Sequence, residues 1–110
     1  MIYVVDIDGT ICTAAKNNDY KNCDPLVDRI KKINELYDEG NTIIYQTARG
    51  MGRHSNNPLL AIQEFYKMTV EQLESWGVRY HQLVLGKPAG DVYIDDKGIN
   101  DTIFFEQEQR

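Results

Sequence analysis

Apolar positions along this chain come in two rhythms. Ile2 to Ile7 is almost continuously β-branched or aromatic and too short for a helix. It predicts a strand buried on both faces, at the centre of a parallel sheet. Asp24-Pro25 opens a different period: Leu26, Ile30, Ile33 and Tyr37 fall on one helical stripe, with Asp24 as the cap and Pro25 in the first turn. Gly40-Asn41 stops that helix. Thr42 to Tyr45 reads as a second strand. A helical region runs from about Pro58 to Trp76; Thr69 and Gln72 fit a capping box and predict a break there, and Gly77 ends it. Leu83 to Leu85 reads as a third strand and Val92 to Ile94 as a fourth. Near the end, Ile103-Phe104-Phe105 is expected to pack down and the five polar residues after it to fray.

Strand, helix, strand, long helix, strand is the alternation of an α/β fold with a mostly parallel sheet and flanking helices. Ligands in such folds sit at the carboxyl ends of the strands. Asp6 and Asp8, Thr47 and Arg49, and Asp95 and Asp96 all follow predicted strands, so they are expected to converge on one edge. One connection is short. Only Gly86 to Asp91 separates the third and fourth apolar runs, whereas a parallel crossover takes a dozen or more residues. Either one of those strands is short or irregular, or the two are not both regular parallel members.

With 110 residues the chain makes one domain, 1–110, and its 42% hydrophobic and 26% charged content is ordinary for a folded protein. Acids outnumber Lys plus Arg by 17 to 12 and no basic stripe stands out. That disfavours a long nucleic acid as partner and suits a small phosphorylated metabolite held by a few local cations. Cys12 and Cys23 form no CxxC pair and read as reduced thiols, which points to the cytoplasm. Met1 to Val5 reaches an acid at position 6, unlike a signal peptide, and no apolar run approaches a membrane span.

The candidate chemistry is concentrated in four strings: Asp6-Ile7-Asp8-Gly9-Thr10, Thr47-Ala48-Arg49, Lys87-Pro88 and Asp95-Asp96. Asp6 and Asp8 point to the same side of a strand. Two carboxylates brought close need a cation between them, and Mg²⁺ takes hard oxygen ligands. Taken alone, such acids are turn formers; after an apolar strand, with a second acidic pair after another, they read as a metal site of Asp6, Asp8, Asp95 and Asp96. Asp95 is expected to bind the ion directly and Asp96 to act through water or by orienting its neighbours. Arg49 offers a planar donor fork to phosphate and Thr47 a hydroxyl. Alone they would read as a surface Arg and a strand-end Thr, and Lys87 as a solvated charge. In the Gly50 to Pro58 loop, Arg53, His54 and Asn56 are candidate substrate contacts, as are Lys16 and Tyr20 after the first motif; the alternative for all five is an ordinary solvent-facing loop. Lys97 and Asn100 are expected to brace the acidic pair, the alternative for Lys97 being a plain surface charge. His81 is placed at a strand entry, away from the chemistry. Cys12 has no activating neighbour. Phe65, Tyr66, Leu73 and Trp76 read as helix packing.

These motifs resemble the haloacid dehalogenase (HAD) superfamily, Mg²⁺-dependent phosphohydrolases with an aspartate nucleophile, and the likeness spans most of the chain. Its DxDGT motif is similar to Asp6–Thr10, its strand-end Thr or Ser to Thr47, its Lys to Lys87, and its acidic pair to Asp95-Asp96. The resemblance implies that Asp6 takes the phosphoryl group through an aspartyl-phosphate. Asp8 would serve as general acid and then base, with its carbonyl facing Mg²⁺, and Thr47 and Lys87 would assist. Gly9, Thr10, Ala48 and Arg49 would line the substrate with Arg53 and His54. The gap from Ile11 to Asp24 is too short for a folded cap, and the second gap holds one loop and one helical region. A minimal Rossmann-like core without a cap domain is therefore implied. The "TARG", "GKP" and "YIDDK" strings are similar to those of small phosphatase-like proteins found with capsule and surface-sugar biosynthesis.

The expected activity is hydrolysis of a small phosphomonoester, with sugar phosphates leading. Mutases of the superfamily keep water out with a cap, and none is visible here. The alternatives are a mononucleotide or nucleic-acid end phosphatase and a non-catalytic scaffold or regulator. A panel of phosphate esters separates all three. A wet, capless site and the aromatic content also suggest a homodimer or homotetramer, with Ile103-Phe104-Phe105 as a contact patch.

Overall fold

The computed structural model describes residues 1–107. β1 (Ile2–Asp6) opens the chain, and a single 3₁₀ turn (Tyr20–Asn22) punctuates the loop after it. Then come α1 (Val27–Asp38), β2 (Thr42–Thr47), α2 (Pro58–Ser75), β3 (Gln82–Leu85) and α3 (Asp101–Gln107). The strands lie side by side in the order β1-β2-β3, all parallel, with Tyr3 beside Ile43 and Tyr45 beside Leu83. This is the expected α/β architecture, a small parallel sheet with flanking helices, consistent with a minimal Rossmann-like core.

Right-handed crossovers between strands in sequential order carry α1 and α2 to the same face of the sheet. That face holds the core: Ile43, Tyr45, Leu83 and Leu85 pack with Ile30 and Ile33 of α1 and Leu73 of α2. The alternate residues look the other way. There Ile2 and Val4 are exposed, Val84 is partly so, and Ile44 is half-buried. The expectation of a first strand buried on both faces therefore fails. β1 lies at the sheet edge, and only its Tyr3 and Val5 side joins the core.

Several boundaries move for identifiable reasons. Asp24 does not cap α1. Its carbonyl accepts from the Thr13 amide (2.9 Å) and its amide donates to Thr13 Oγ1 (2.9 Å), while the Leu26 amide donates to the Ile11 carbonyl (2.8 Å). This lacing keeps residues 24–26 extended, so the helix begins at Val27. α2 starts under Asn57, whose side chain accepts from the Leu59 and Leu60 amides. It runs unbroken through Thr69, because that side chain is buried and bonded to Arg49 instead of capping a new helix. β2 extends to Thr47, which puts that hydroxyl on the strand itself.

The largest correction concerns the fourth strand. Val92 to Ile94 pairs with nothing in the sheet, and Val92 and Ile94 are 75% and 93% exposed. The short Gly86 to Asp91 link gives too little chain for a crossover. The end of the chain packs down through Phe104 and Phe105 as expected, and it does so as a helix. Asn100 Oδ1 accepts from the Thr102 amide (3.0 Å) at the start of α3. Phe105 is buried and Phe104 sits edge-on to Tyr3 and under Lys32, so this patch closes the protein's own core and leaves only Ile103 outside. Of the five polar residues expected to fray, Glu106 and Gln107 finish α3 and the last three lie outside the described residues. No helix among the described residues is long and apolar enough to cross a membrane.

Candidate functional site

β1 ends at Asp6, and the chain turns at once. The Thr10 and Ile11 amides both donate to the Ile7 carbonyl, and Gly9 takes a φ of +80° that a side chain would disfavour. The turn leaves Asp6 and Asp8 at the carboxyl end of the sheet. Asp6 Oδ1 lies 3.5 Å from Lys87 Nζ, and its other oxygen accepts from Thr10 Oγ1 at 3.5 Å. Burial pushes the Asp6 carboxyl above its usual range; Lys87 and a backbone amide pull against that, and Asp8 adds to it. Lys87 is carried there by its own amide, which donates to the Thr47 carbonyl (3.2 Å) at the end of β2. Its ammonium also lies 4.3 Å from the centre of the Tyr93 ring. Asp6, Thr10, Thr47 and Lys87 therefore meet at one sheet edge, while the expected convergence does not bring Asp95 and Asp96 into a ligand cluster with Asp6 and Asp8 among the described residues.

Arg49 is in the right region but faces inward. It is 1% exposed. Its Nε donates to Asp8 Oδ2 (3.0 Å) and its Nη2 to Asp8 Oδ1 (2.9 Å), a two-pronged pair of the kind guanidinium and carboxylate favour. Nη1 donates to Thr69 Oγ1 (3.2 Å), and the guanidinium lies 5.0 Å from the centre of the Tyr20 ring. Tyr20 is held in turn, because its hydroxyl accepts from the Gly50 amide (3.1 Å). Gly50 has φ +79°, and a Cβ there would come within 2.6 Å of the Phe65 ring, so the approach needs glycine. Thr47, buried, accepts from the Arg49 amide (3.1 Å). The Arg49 fork expected to grip phosphate is thus committed to Asp8.

Other candidates take different places. Arg53 and His54 both pair with Glu64 of α2, at 3.2 and 2.6 Å, which fastens the loop to the helix. Asn56 Oδ1 accepts from the Ala89 amide (2.9 Å), tying the loop to the chain after β3. Lys16 is exposed and Ala48 half-buried. Asp95 and Asp96 are exposed on irregular chain. Asp95 Oδ1 accepts from the amides of Lys97 and Gly98, each at 2.6 Å, which holds its carboxyl below the usual range. The four acids form no ligand cluster among the described residues, and Asn100, expected to brace the pair, caps α3 instead. His81 sits at the entry to β3 as expected, its Nδ1 accepting from the Ile43 amide (3.1 Å) and its ring stacked on Tyr37.

Residues given no part in the site from the sequence complete the surroundings of Asp8. Cys12 and Cys23 are both buried and approach Asp8 Oδ1 at 3.5 and 3.9 Å. Burial and the Asp8 charge push both thiols upward. Thr69 and Glu64 were also missed. Thr69 falls on the buried stripe of α2 with Ala61 and Leu73, whereas Glu64 looks like the other exposed acids of that helix. Two surface hollows, one beside Pro25, Arg29 and Phe105 and one beside Lys21, Met68 and Gln72, include none of the candidate acids. The Asp6 and Asp8 side chains keep 33% and 20% exposure, so the candidate site opens to solvent.

The chain is similar to the crystal structure of a structural-genomics target from Vibrio cholerae, with a TM-score of 0.85, 29% sequence identity and 98% of each chain covered. No protein-family model and no curated protein matches it. The structural likeness carries the architecture over nearly the whole chain; it carries no reaction.

Proposed function

We propose that this protein is a HAD-type phosphomonoester hydrolase acting on a small phosphorylated metabolite, with sugar phosphates first among them. The observation that carries the reading is the Asp6 carboxylate at the end of β1, partly open to solvent, with the Lys87 ammonium 3.5 Å away and the Thr10 hydroxyl on its other oxygen. An Asp oxygen attacks phosphorus, the bond to the ester oxygen breaks, and the phosphoryl group rests on Asp6 until water removes it. Lys87 offsets the repulsion between the incoming phosphate and Asp6, and the Thr47 carbonyl holds the Lys87 amide. Asp8 handles the proton. Both its oxygens accept from Arg49, so delivering a proton to the leaving oxygen requires one arm of that fork to let go. Arg49 is a positioning residue in this scheme.

Mg²⁺ is the cofactor this reading carries, and the donors fit it only in part. Asp6 offers hard carboxylate oxygens, the ligand type Mg²⁺ prefers with water filling the remaining positions. The Asp8 carboxylate is taken by Arg49, and Asp95 and Asp96 are not gathered with Asp6 and Asp8 into a ligand cluster among the described residues. The test is phosphate release from a panel of heptose, hexose, glycerol and nucleotide monophosphates, with and without Mg²⁺. Release from sugar phosphates supports the reading, and selective release from nucleotides moves it to a nucleotidase. No release from any member, by folded and metal-loaded protein, would leave the non-catalytic alternative.

A further inference from the structure

Asp8, Cys12 and Cys23 make a second constellation on the inner side of the same turn. Asp8 Oδ1 and the two Sγ atoms all lie within 4.8 Å of one another. From Asp8 Oδ1, the Cys12 sulfur is 3.5 Å away and the Cys23 sulfur 3.9 Å. Zn²⁺ binds thiolate at about 2.3 Å and carboxylate at about 2.0–2.2 Å in a tetrahedron, which sets the sulfur-to-oxygen edge at about 3.6 Å. The distances already present straddle that edge. The backbone holds them there, since residues 11–13, which carry Cys12, are laced to residues 24–26, directly after Cys23, by the Thr13, Asp24 and Leu26 hydrogen bonds.

Charge favours the same conclusion. The Arg49 cation and the Asp8 anion cancel, and each neutral S–H adds nothing. A divalent ion that replaces the two thiol protons, which leave to solvent, keeps the buried group at the same net charge. That matters because uncompensated charge is what burial penalises. Arg49 then becomes the outer hydrogen-bond partner of a ligating carboxylate, an arrangement that typically orients metal ligands. Cys12 is 0% exposed and Cys23 8%, but the Asp8 side chain is 20% exposed and gives a route in.

We propose that Asp8, Cys12 and Cys23 form a site for a thiophilic divalent cation, Zn²⁺ being the type ion, with water as the fourth ligand. The site shares Asp8 with the proposed phosphatase centre and does not depend on that reading. Mg²⁺, which prefers oxygen, is excluded by the two sulfurs. Where both sites exist, Zn²⁺ bound here removes Asp8 from proton transfer.

The test uses the full chain, reduced with a phosphine and freed of metal. Zn²⁺ is titrated in competition with a chromophoric chelator, and Cd²⁺ is titrated alone while the ultraviolet thiolate-to-cadmium band is followed. One equivalent of each is expected. Cys12→Ser and Cys23→Ser should each weaken the band, since one thiolate remains, and should cost at least the roughly 10–100-fold in affinity that removing even an outer partner of a metal site costs. In wild-type protein, Zn²⁺ should slow alkylation of both thiols, mapped by mass spectrometry, a readout that needs no variant to fold. Absence of the cadmium band, Zn²⁺ affinity unchanged in both serine variants, or alkylation rates indifferent to Zn²⁺ would each overturn the site. None of these readouts involves phosphatase activity, so failure here is distinct from failure of the proposed function.

Discussion

Replacing Arg49 by Met keeps much of its length and apolar stem and removes its charge. If the guanidinium is the clamp that sets Asp8, the first effect is on stability. Removing one partner of a buried ion pair costs about 3–5 kcal/mol, because the other charge is left without compensation. The Asp8 side chain retains 20% exposure, so water partly solvates the stranded carboxylate and the lower end, about 3 kcal/mol, applies. With a urea slope of about 1–3 kcal/mol/M for a small domain, the unfolding midpoint should fall by about 1–3 M. Adding Asp8→Asn removes the stranded charge. The double variant should then be more stable than the sum of the two single losses by about 0.5–3 kcal/mol, the coupling expected of contacting residues. Equilibrium urea unfolding of all four proteins, with slopes compared, measures this. A loss below about 1 kcal/mol for Arg49→Met, or strict additivity in the cycle, would refute the clamp. If Arg49→Lys in addition raised KM alone with kcat unchanged, the guanidinium would return to its sequence-derived role as a phosphate contact.

Asp6→Asn should abolish turnover and, in metal-free protein at neutral pH, raise the melting temperature. The folded-state pKa of Asp6 lies above its ordinary 3.8 through burial, so the ionised form costs stability at neutral pH, and that cost fades as pH falls from the folded value to below 3.8. A variant less stable than wild type at pH 7, or a gap that widens on acidification, would contradict this. Asp95→Asn should chiefly weaken Mg²⁺ affinity; calorimetry finding no change there, but a loss in Asp96→Asn, would reverse the assignment of the two acids. The open sheet face with Ile2, Val4 and Val84 is expected to be covered by a second copy of the chain. Light scattering should then give a multiple of 12.7 kDa, while a clean monomer mass at micromolar concentration, unchanged by Mg²⁺ or phosphate, would refute it.

Legibility in the sequence followed the range of the interactions. The β1 run, the α1 stripe from Ile30 to Tyr37 and the stops at Gly40 and Gly77 depend on near neighbours, and they could be read directly. So could the placement of Asp6 and Thr47 at strand ends. Val92 to Ile94 has the composition of a strand, but composition does not supply the chain length a parallel crossover needs; the short Gly86 to Asp91 link was the visible warning. The break expected at Thr69 failed for a tertiary reason, the demand of Arg49 for a buried acceptor far along the chain. The same long-range pairing hid the true role of Arg49, since a strand-end arginine looks alike whether it faces phosphate or Asp8. Cys12 and Cys23 carried no spacing signal, because the turn and the lacing through Thr13 and Asp24, not sequence proximity, bring them to one carboxylate oxygen.

Trapping the phosphorylated protein tests the central claim most directly. Wild-type protein is mixed with Mg²⁺ and the best phosphate ester of the panel, quenched in acid during turnover, digested and mapped by mass spectrometry. A phosphoryl group on Asp6, absent from Asp6→Asn and lost on treatment with hydroxylamine as an acyl phosphate should be, is the result the account predicts. Phosphate release with no label on Asp6, or turnover that persists in Asp6→Asn, would contradict it.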